Sequence, residues 1–241
     1  MPQSVIEIGI IIPAYNPNPV ILLDLIFRIF KVLQSSSFQL VVIDDGSFPA
    51  VQMIEKFPEP VFIIRHEKNY GKGQALKTGF NYFTQTVAAR YILTIDADLQ
   101  HPPEKIPDFL RQIRQSSYQI VVGCRERRLS QMPFHRILSN YLTSLIISGL
   151  TGRLIKDSQC GFRLLDSAIL AGLSLEENRF HLESEMLIKT AWRKIRIGFV
   201  QVPTIYLQEK SSINNFRDTL NFISLIFRLL RKRMIVACIP F

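Results

Sequence analysis

Hydrophobic positions along the chain fall into two alternating textures. Ile8–Pro13, Leu40–Ile43, Val61–Ile64, Tyr91–Ile95 and Ile120–Val122 are short unbroken runs rich in β-branched residues, the composition of strands buried on both faces. Between them, segments 19–34, 72–85 and 103–115 read as helices. The last of these opens on Pro102-Pro103 followed by Glu104, a good helix start. Strands alternating with helices predict βαβ units and an α/β fold with a mostly parallel sheet flanked by helices. No internal repeat and no Gly- or Ser-rich linker interrupts this pattern.

The second half has a different texture. Phe134, Ile137, Leu138, Tyr141, Leu142 and Leu145 recur at the spacing of an amphipathic helix. From 216 onward, Arg217, Asn221, Ser224, Arg228 and Arg231 form a narrow polar stripe in an otherwise apolar segment. That apolar arc is wider than one side of a soluble domain needs. The predicted division is therefore 1–210 as one domain and 211–241 as an amphipathic, membrane-associated helical segment.

Charge sharpens the contrast. Of 29 Lys and Arg, 11 lie in residues 1–120 and are matched by 11 Asp and Glu, so the net charge of +9 falls entirely in residues 121–241. A neutral half followed by a cationic half points to an anionic partner for the second. The 241 residues are 47% hydrophobic, with a mean hydropathy of +0.15, which excludes a disordered or low-complexity chain. Cys124, Cys160 and Cys238 form no CxxC pair, and a reduced, cytosol-facing location is expected. No uncharged stretch reaches the ~20 residues of a membrane-spanning helix, so a peripheral association is expected.

Polar groups gather after the predicted strands: Tyr15-Asn16, Asp44-Asp45-Gly46-Ser47, Asp96-Ala97-Asp98 and Arg125. In open α/β sheets, ligands bind outside the carboxyl ends of strands, so this pattern predicts a substrate site. If the chain stays extended through Asp96 and Asp98, their carboxylates share a face and suit a hard divalent ion, with Gln100 adding a neutral oxygen. An isolated Asp-x-Asp is also what a solvated turn looks like; its place at a strand end favours the ligand reading. Asp44 and Asp45 face opposite ways, so one could hydrogen-bond a ribose or base while the other caps the turn. Asn69-Tyr70-Gly71-Lys72-Gly73-Gln74 precedes a helix and offers a weak phosphate-facing loop; it has neither P-loop nor dinucleotide-fold spacing. Arg125, Arg127, Arg128 and Arg136 supply phosphate-binding guanidinium groups. His66, His101, His135 and His181 have no nucleophilic serine nearby in sequence, and none is given a role.

Five motifs occur in order: Ile12–Asn16, Val42–Ser47, Asn69–Gly73, Asp96–Pro103 and Asp157–Arg163. Together they resemble family 2 glycosyltransferases of the GT-A fold, specifically the polyprenyl-phosphate sugar synthases, over about residues 6–235. The resemblance implies a Rossmann-like sheet and an inverting transfer. It implies that Pro13, Ala14, Tyr15, Asn16, Asp44, Asp45, Lys72, Ala97 and Lys210 lie toward the donor nucleotide. Asp96, Asp98 and Gln100 would hold Mg²⁺ or Mn²⁺. Arg125, Arg136 and Ser139 would meet the acceptor phosphate, with Asp98, Arg125, Asp157, Arg163 and Glu185 at the transfer centre. The chain departs from some relatives after Val202–Tyr206, where Lys210 stands without a neighbouring Arg.

The expected reaction moves a hexose from a UDP- or GDP-sugar to a polyprenyl phosphate on the cytoplasmic side of a membrane. An alternative is a saccharide or other hydroxyl acceptor in cell-envelope polysaccharide or glycolipid synthesis, which needs a base, Asp157 or Glu185. A nucleic-acid partner is not expected, because the basic half interleaves charge with long aliphatics and carries no nucleic-acid motif. A pure lipid-binding scaffold would leave the acidic strand ends without a purpose.

Overall fold

A computed structural model describes residues 5–53, 57–58, 60–125, 134–203, 205 and 215–237, with the side chains of 134–137, 215–220 and 234–237 left aside. The chain divides into two units, Met1–Leu207 and Gln208–Phe241.

The first unit is built on one seven-stranded sheet. Its strands are β1 (Ile6–Ala14), β2 (Phe38–Asp44), β3 (Val61–Arg65), β4 (Ala89–Thr94), β5 (Ile120–Arg125), β6 (Arg163–Asp166) and β7 (Ile197–Val202). Their order across the sheet is β3-β2-β1-β4-β6-β5-β7. All neighbours are parallel except β6, which runs antiparallel to both β4 and β5. The five predicted strands are present. β3 departs from its expected burial: it is an edge strand paired only with β2, and Phe62 is largely exposed.

Helices pack where the periodicity places them. In α1 (Pro19–Val32), the Asn18 side chain accepts the Val20 and Ile21 amides, Pro19 opens the first turn, and Leu22, Leu25, Ile26 and Ile29 are buried. α2 (Lys72–Asn81) starts directly after Gly71 and closes in a π-helical turn, Tyr82–Thr86. α3 (Ile106–Gln115) buries Ile106, Phe109, Leu110 and Ile113. α4 (Phe134–Thr151) carries the predicted amphipathic pattern, and Leu138, Tyr141, Leu142, Leu145 and Ile146 on it are exposed.

Three elements lie outside the sequence expectation. β6 has only four residues, too few for an alternation to register. β7 follows a half-exposed alternating pattern. Every residue of α5 (Leu182–Trp192) from Leu182 to Ile188 is buried, including Glu183 and Glu185, so no apolar stripe marks it. The second unit contains α6 (Asn215–Ala237). Among the described residues, no helix is long and apolar enough to cross a membrane.

Candidate active site

The carboxyl ends of β1, β2, β4 and β5 bring the predicted residues to one end of the sheet. At the end of β1, Tyr15 is exposed, whereas the Ala14 side chain is buried and its carbonyl accepts the Asp45 amide at 2.8 Å. Asn16 ties this end to the next loop: its amide donates to Ser47 Oγ at 2.9 Å and its Oδ1 accepts the Phe48 amide at 2.8 Å. Pro13 is half-buried in β1.

The two adjacent aspartates divide their work as their opposite facing requires. Asp44 is the cap. Its carboxylate is wholly buried, accepts the Ser47 and Val51 amides at 2.8 and 3.1 Å and pairs with Arg65 at 3.2 Å. Burial works against its ionisation, but these donors outweigh it and hold the carboxyl below its ordinary range. Asp44 therefore has no face to offer a nucleotide, against the expectation for it. Asp45 accepts the Tyr70 and Gly71 amides at 3.0 and 2.8 Å and lies 2.7 Å from His66 Nδ1. His66 Nε2 is 2.9 Å from Thr78 Oγ1. Asp45 thus fixes the 69–73 loop, with His66 as a partner that sequence reasoning left without a role.

β4 ends at Thr94, so Asp96 and Asp98 stand in a loop rather than on an extended strand. The shared-face argument does not apply: the chain turns at Ala97 and Asp98, Asp98 Oδ1 accepts the Gln100 backbone amide at 3.1 Å, and Leu99 beyond them is left-handed, with φ 57. Ala97 is half-buried in this turn. Asp96 meets the base of α2 and the start of α5. Its Oδ1 is 2.7 Å from Lys72 Nζ, which also lies 3.1 Å from Glu183 Oε1. Burial raises the Asp96 carboxyl, yet the Lys72 ammonium more than compensates and its pKa is lowered. The backbone of Gly161 lies directly against this carboxylate, since a Cβ there would stand 2.5 Å from Asp96 Oδ2. Thr94 Oγ1 donates to the Gly161 carbonyl at 2.8 Å.

Arg125, at the end of β5, forms a two-pronged pair with Asp157: Nε to Oδ2 at 2.8 Å and Nη2 to Oδ1 at 2.9 Å. Burial opposes ionisation of Asp157, but Arg125 and the Gln159 and Arg125 amides keep it below its usual value. His101 is buried beside this pair, its ring stacked on Phe162 and its Nε2 3.4 Å from Cys160 Sγ. Burial and then Arg125 push the imidazole down to about 4, against the pull of Asp96 and Asp157. Burial, with Asp157, pushes the Cys160 thiol up to about 12, so it is no nucleophile at neutral pH.

Two predicted catalytic residues are committed elsewhere. Arg163 is 1% exposed, and its guanidinium donates to the carbonyls of Cys160, Glu183 and Ser158 at 2.8, 2.7 and 2.9 Å. It holds the turn into β6 against α5, with all three nitrogens committed and the group buried away from any phosphate. Glu185 is equally buried and accepts the Glu176 and Glu177 amides and the Lys189 ammonium. The residue that reaches the site is Glu183. Two positions along a helix differ by about 200°, so only one of this acidic pair can face Asp96, and the sequence alone does not say which. Ser139 is exposed on α4; the side chain of Arg136, and Arg127, Arg128 and Lys210 entirely, lie outside the described residues.

A separate cavity of about 620 Å³, lined by Lys77, Phe80, Phe83, Leu170 and Leu173 among others, opens beside Ala88 and Ala89 at the start of β4. That is the far end of the strand from Asp96, so it plays no part in this cluster.

Residues 9–171 match the model of the glycosyl transferase family 2. The chain therefore belongs to that family. It is 31% identical over 249 residues to the UDP-N-acetylglucosamine–dolichyl-phosphate N-acetylglucosaminyltransferase of Methanococcus voltae, covering 94% of this chain and 96% of that one. It is 32% identical over 214 residues to the dolichol-phosphate mannosyltransferase of Pyrococcus furiosus, covering 82% of this chain and 55% of the relative. In structure it resembles mannosyl-3-phosphoglycerate synthase from Rubrobacter xylanophilus, with a TM-score of 0.70, 15% identity and coverage of 95% and 74%. It also resembles glucosyl-3-phosphoglycerate synthase from Mycobacterium tuberculosis in complex with Mn²⁺, UDP and phosphoglyceric acid, with a TM-score of 0.67, 18% identity and coverage of 98% and 80%. The fold is GT-A, and the protein is a family 2 glycosyltransferase of the kind related to polyprenyl-phosphate sugar transferases.

Proposed function

We propose that the protein transfers a hexose, with inversion, from a nucleoside diphosphate sugar to a polyprenyl phosphate at a membrane surface. The observation that carries this reading is the meeting of Asp96 with the Arg125–Asp157 pair at one end of the sheet. A carboxylate suited to the donor's metal and a guanidinium suited to an acceptor phosphate stand at the ends of β4 and β5, with only β6 between those strands, and the Arg125 charge helps to lower the Asp96 pKa. The two relatives named above act, by their names, on dolichyl or dolichol phosphate.

The donor set fits a hard divalent ion in chemistry. Asp96, Asp98 and Gln100 offer carboxylate and amide oxygens. Hard divalent ions of this kind are often held by one or two carboxylates together with substrate phosphates. When bound, Mg²⁺ or Mn²⁺ would neutralise the departing diphosphate. Asp157 orients the Arg125 guanidinium for the incoming phosphate. Tyr15, exposed beside the Asn16–Ser47 link, is the face offered to the nucleoside.

The nature of the acceptor follows from where bases are wanting. A phosphate is already anionic and needs no proton removed, whereas a hydroxyl acceptor does. Asp157 is paired to Arg125 and held ionised below its usual range, and Glu185 is buried against amides and Lys189. Neither is poised to take a proton. The exposed apolar residues of α4, Leu138, Tyr141, Leu142, Leu145 and Ile146, supply a face for the lipid.

The test offers radiolabelled UDP- and GDP-hexoses with Mn²⁺ to polyprenyl phosphate in liposomes and, separately, to soluble saccharides. Label is expected in the lipid fraction, and Asp96→Asn should lower its rate by on the order of a thousandfold. Label in saccharide alone would replace this reading with the hydroxyl-acceptor one.

A further inference from the structure

The end of the sheet already carries a cation. Lys72 lies 2.7 Å from Asp96 and 3.1 Å from Glu183, and its position is built into the loop that precedes it. Gly71 has φ 101 and donates its amide to Asp45 at 2.8 Å; a Cβ there would stand 2.5 Å from the Asn178 carbonyl. The Gln74 amide donates to that same carbonyl at 2.9 Å. The loop is thus pinned by Asp45 from the first half of the chain and by Asn178 from the second, and Lys72 likewise reaches both halves, at Asp96 and Glu183. Its side chain keeps 18% of its exposure and that of Glu183 only 7%. A lysine is ordinarily protonated at neutral pH, and here the ammonium lies between two carboxylates.

A divalent ion arriving at Asp96 meets this ammonium at close range, where like charges repel strongly in a partly buried setting. We propose that Lys72 is the resident counter-cation of Asp96 and Glu183 and makes tight divalent-ion binding conditional on the donor diphosphate. The inference rests on the reading of Asp96 as a metal ligand. In the free protein Lys72 shares its single charge between both carboxylates, and a bare ion competes with it for Asp96. A diphosphate brings anionic oxygens that give the ammonium another partner, so Asp96 passes to the ion that comes with the nucleotide. Only ionic contacts are exchanged. The expected order is therefore ion with nucleotide, not ion first.

Titration of the full-length protein with Mn²⁺, the free ion followed by electron paramagnetic resonance, tests this without turnover. Without nucleotide, Lys72→Gln is expected to bind Mn²⁺ at least about tenfold more tightly than the natural protein, and Lys72→Arg no more tightly. Added UDP or GDP should tighten Mn²⁺ binding in the natural protein and do so less in Lys72→Gln. Lys72→Met replaces Lys72→Gln if circular dichroism finds the latter unfolded. Equal or weaker binding by the folded neutral variant overturns the proposal. Asp96→Asn separates the two levels. If it weakens Mn²⁺ binding while Lys72→Gln does not strengthen it, only the counter-cation fails. If it leaves Mn²⁺ affinity unchanged, the assignment of Asp96 to the ion fails as well.

Discussion

Charge is arranged in two layers at the end of the sheet, and they differ in what they pair with. In the outer layer Lys72, Asp96 and Glu183, and likewise Arg125 and Asp157, meet side chain to side chain. In the layer behind, Asp44 holds two backbone amides besides Arg65, Arg163 holds three backbone carbonyls, and Glu185 holds two backbone amides besides Lys189. A side-chain partner can turn away when a ligand offers something better; a backbone partner cannot without moving the fold. Charged residues in a motif thus split into those that can exchange partners with a substrate and those that keep the chain in place.

The largest expected effect lies in the inner layer. Arg163→Met leaves three buried carbonyls without donors and should cost about 3–5 kcal/mol of stability in urea unfolding. An unchanged midpoint with a collapsed kcat would instead move Arg163 to the outer layer. His101 sits between the layers. Its imidazole titrates at about 4 when folded and at about 6.5 when unfolded, so between those values the unfolded chain binds the extra proton. This contribution is whole above about pH 6.5 and falls by on the order of 3 kcal/mol as the pH drops to about 4. His101→Gln should flatten that part of the stability–pH curve; a curve of the same slope would remove His101 from the account.

Glu185→Gln keeps an acceptor oxygen but loses the charge opposite Lys189, and a loss of about 2 kcal/mol is expected, read as a lower Tm with the donor KM unmoved. A raised donor KM at unchanged Tm would make Glu185 a substrate group. The smallest effect on stability belongs to the exposed Tyr15. Tyr15→Ala should stay within about 0.5 kcal/mol while raising the KM for the donor, and an unaltered KM would shift the nucleoside to another part of the sheet end.

The legibility of the chain follows the same division. β1 to β5 and α1 to α4 announce themselves because each has a solvent side or a long β-branched run. α5 does not, because burial on every side erases the 3.6-residue stripe, and β6 is too short to show alternation. At the site, Asp96 and Arg125 are readable from their places after predicted strands, and Asp157 only from the family resemblance. The partnership of Lys72 with Glu183 joins residues far apart in sequence and depends on which face of an unseen helix turns inward. The turn at Ala97 and Asp98 undid the i, i+2 argument for Asp96 and Asp98, since side chains two apart share a face only while the chain stays extended.

The reversed direction of β6 has a consequence for how this scaffold can diversify. Because β6 runs against its neighbours, the polypeptide departs from the sheet at Arg125 and rejoins it at Arg163 on the same rim, its register set by Thr94 and Val122. α4 therefore belongs to a closed excursion, and its length and character can be rewritten while the first four strands keep their pairing, provided the stretch from Asp157 to Phe162 still meets Arg125, Thr94 and Asp96. On the proposed reading, a lineage could trade one recipient molecule for another by exchanging α4 alone, leaving the machinery for the activated sugar as it is.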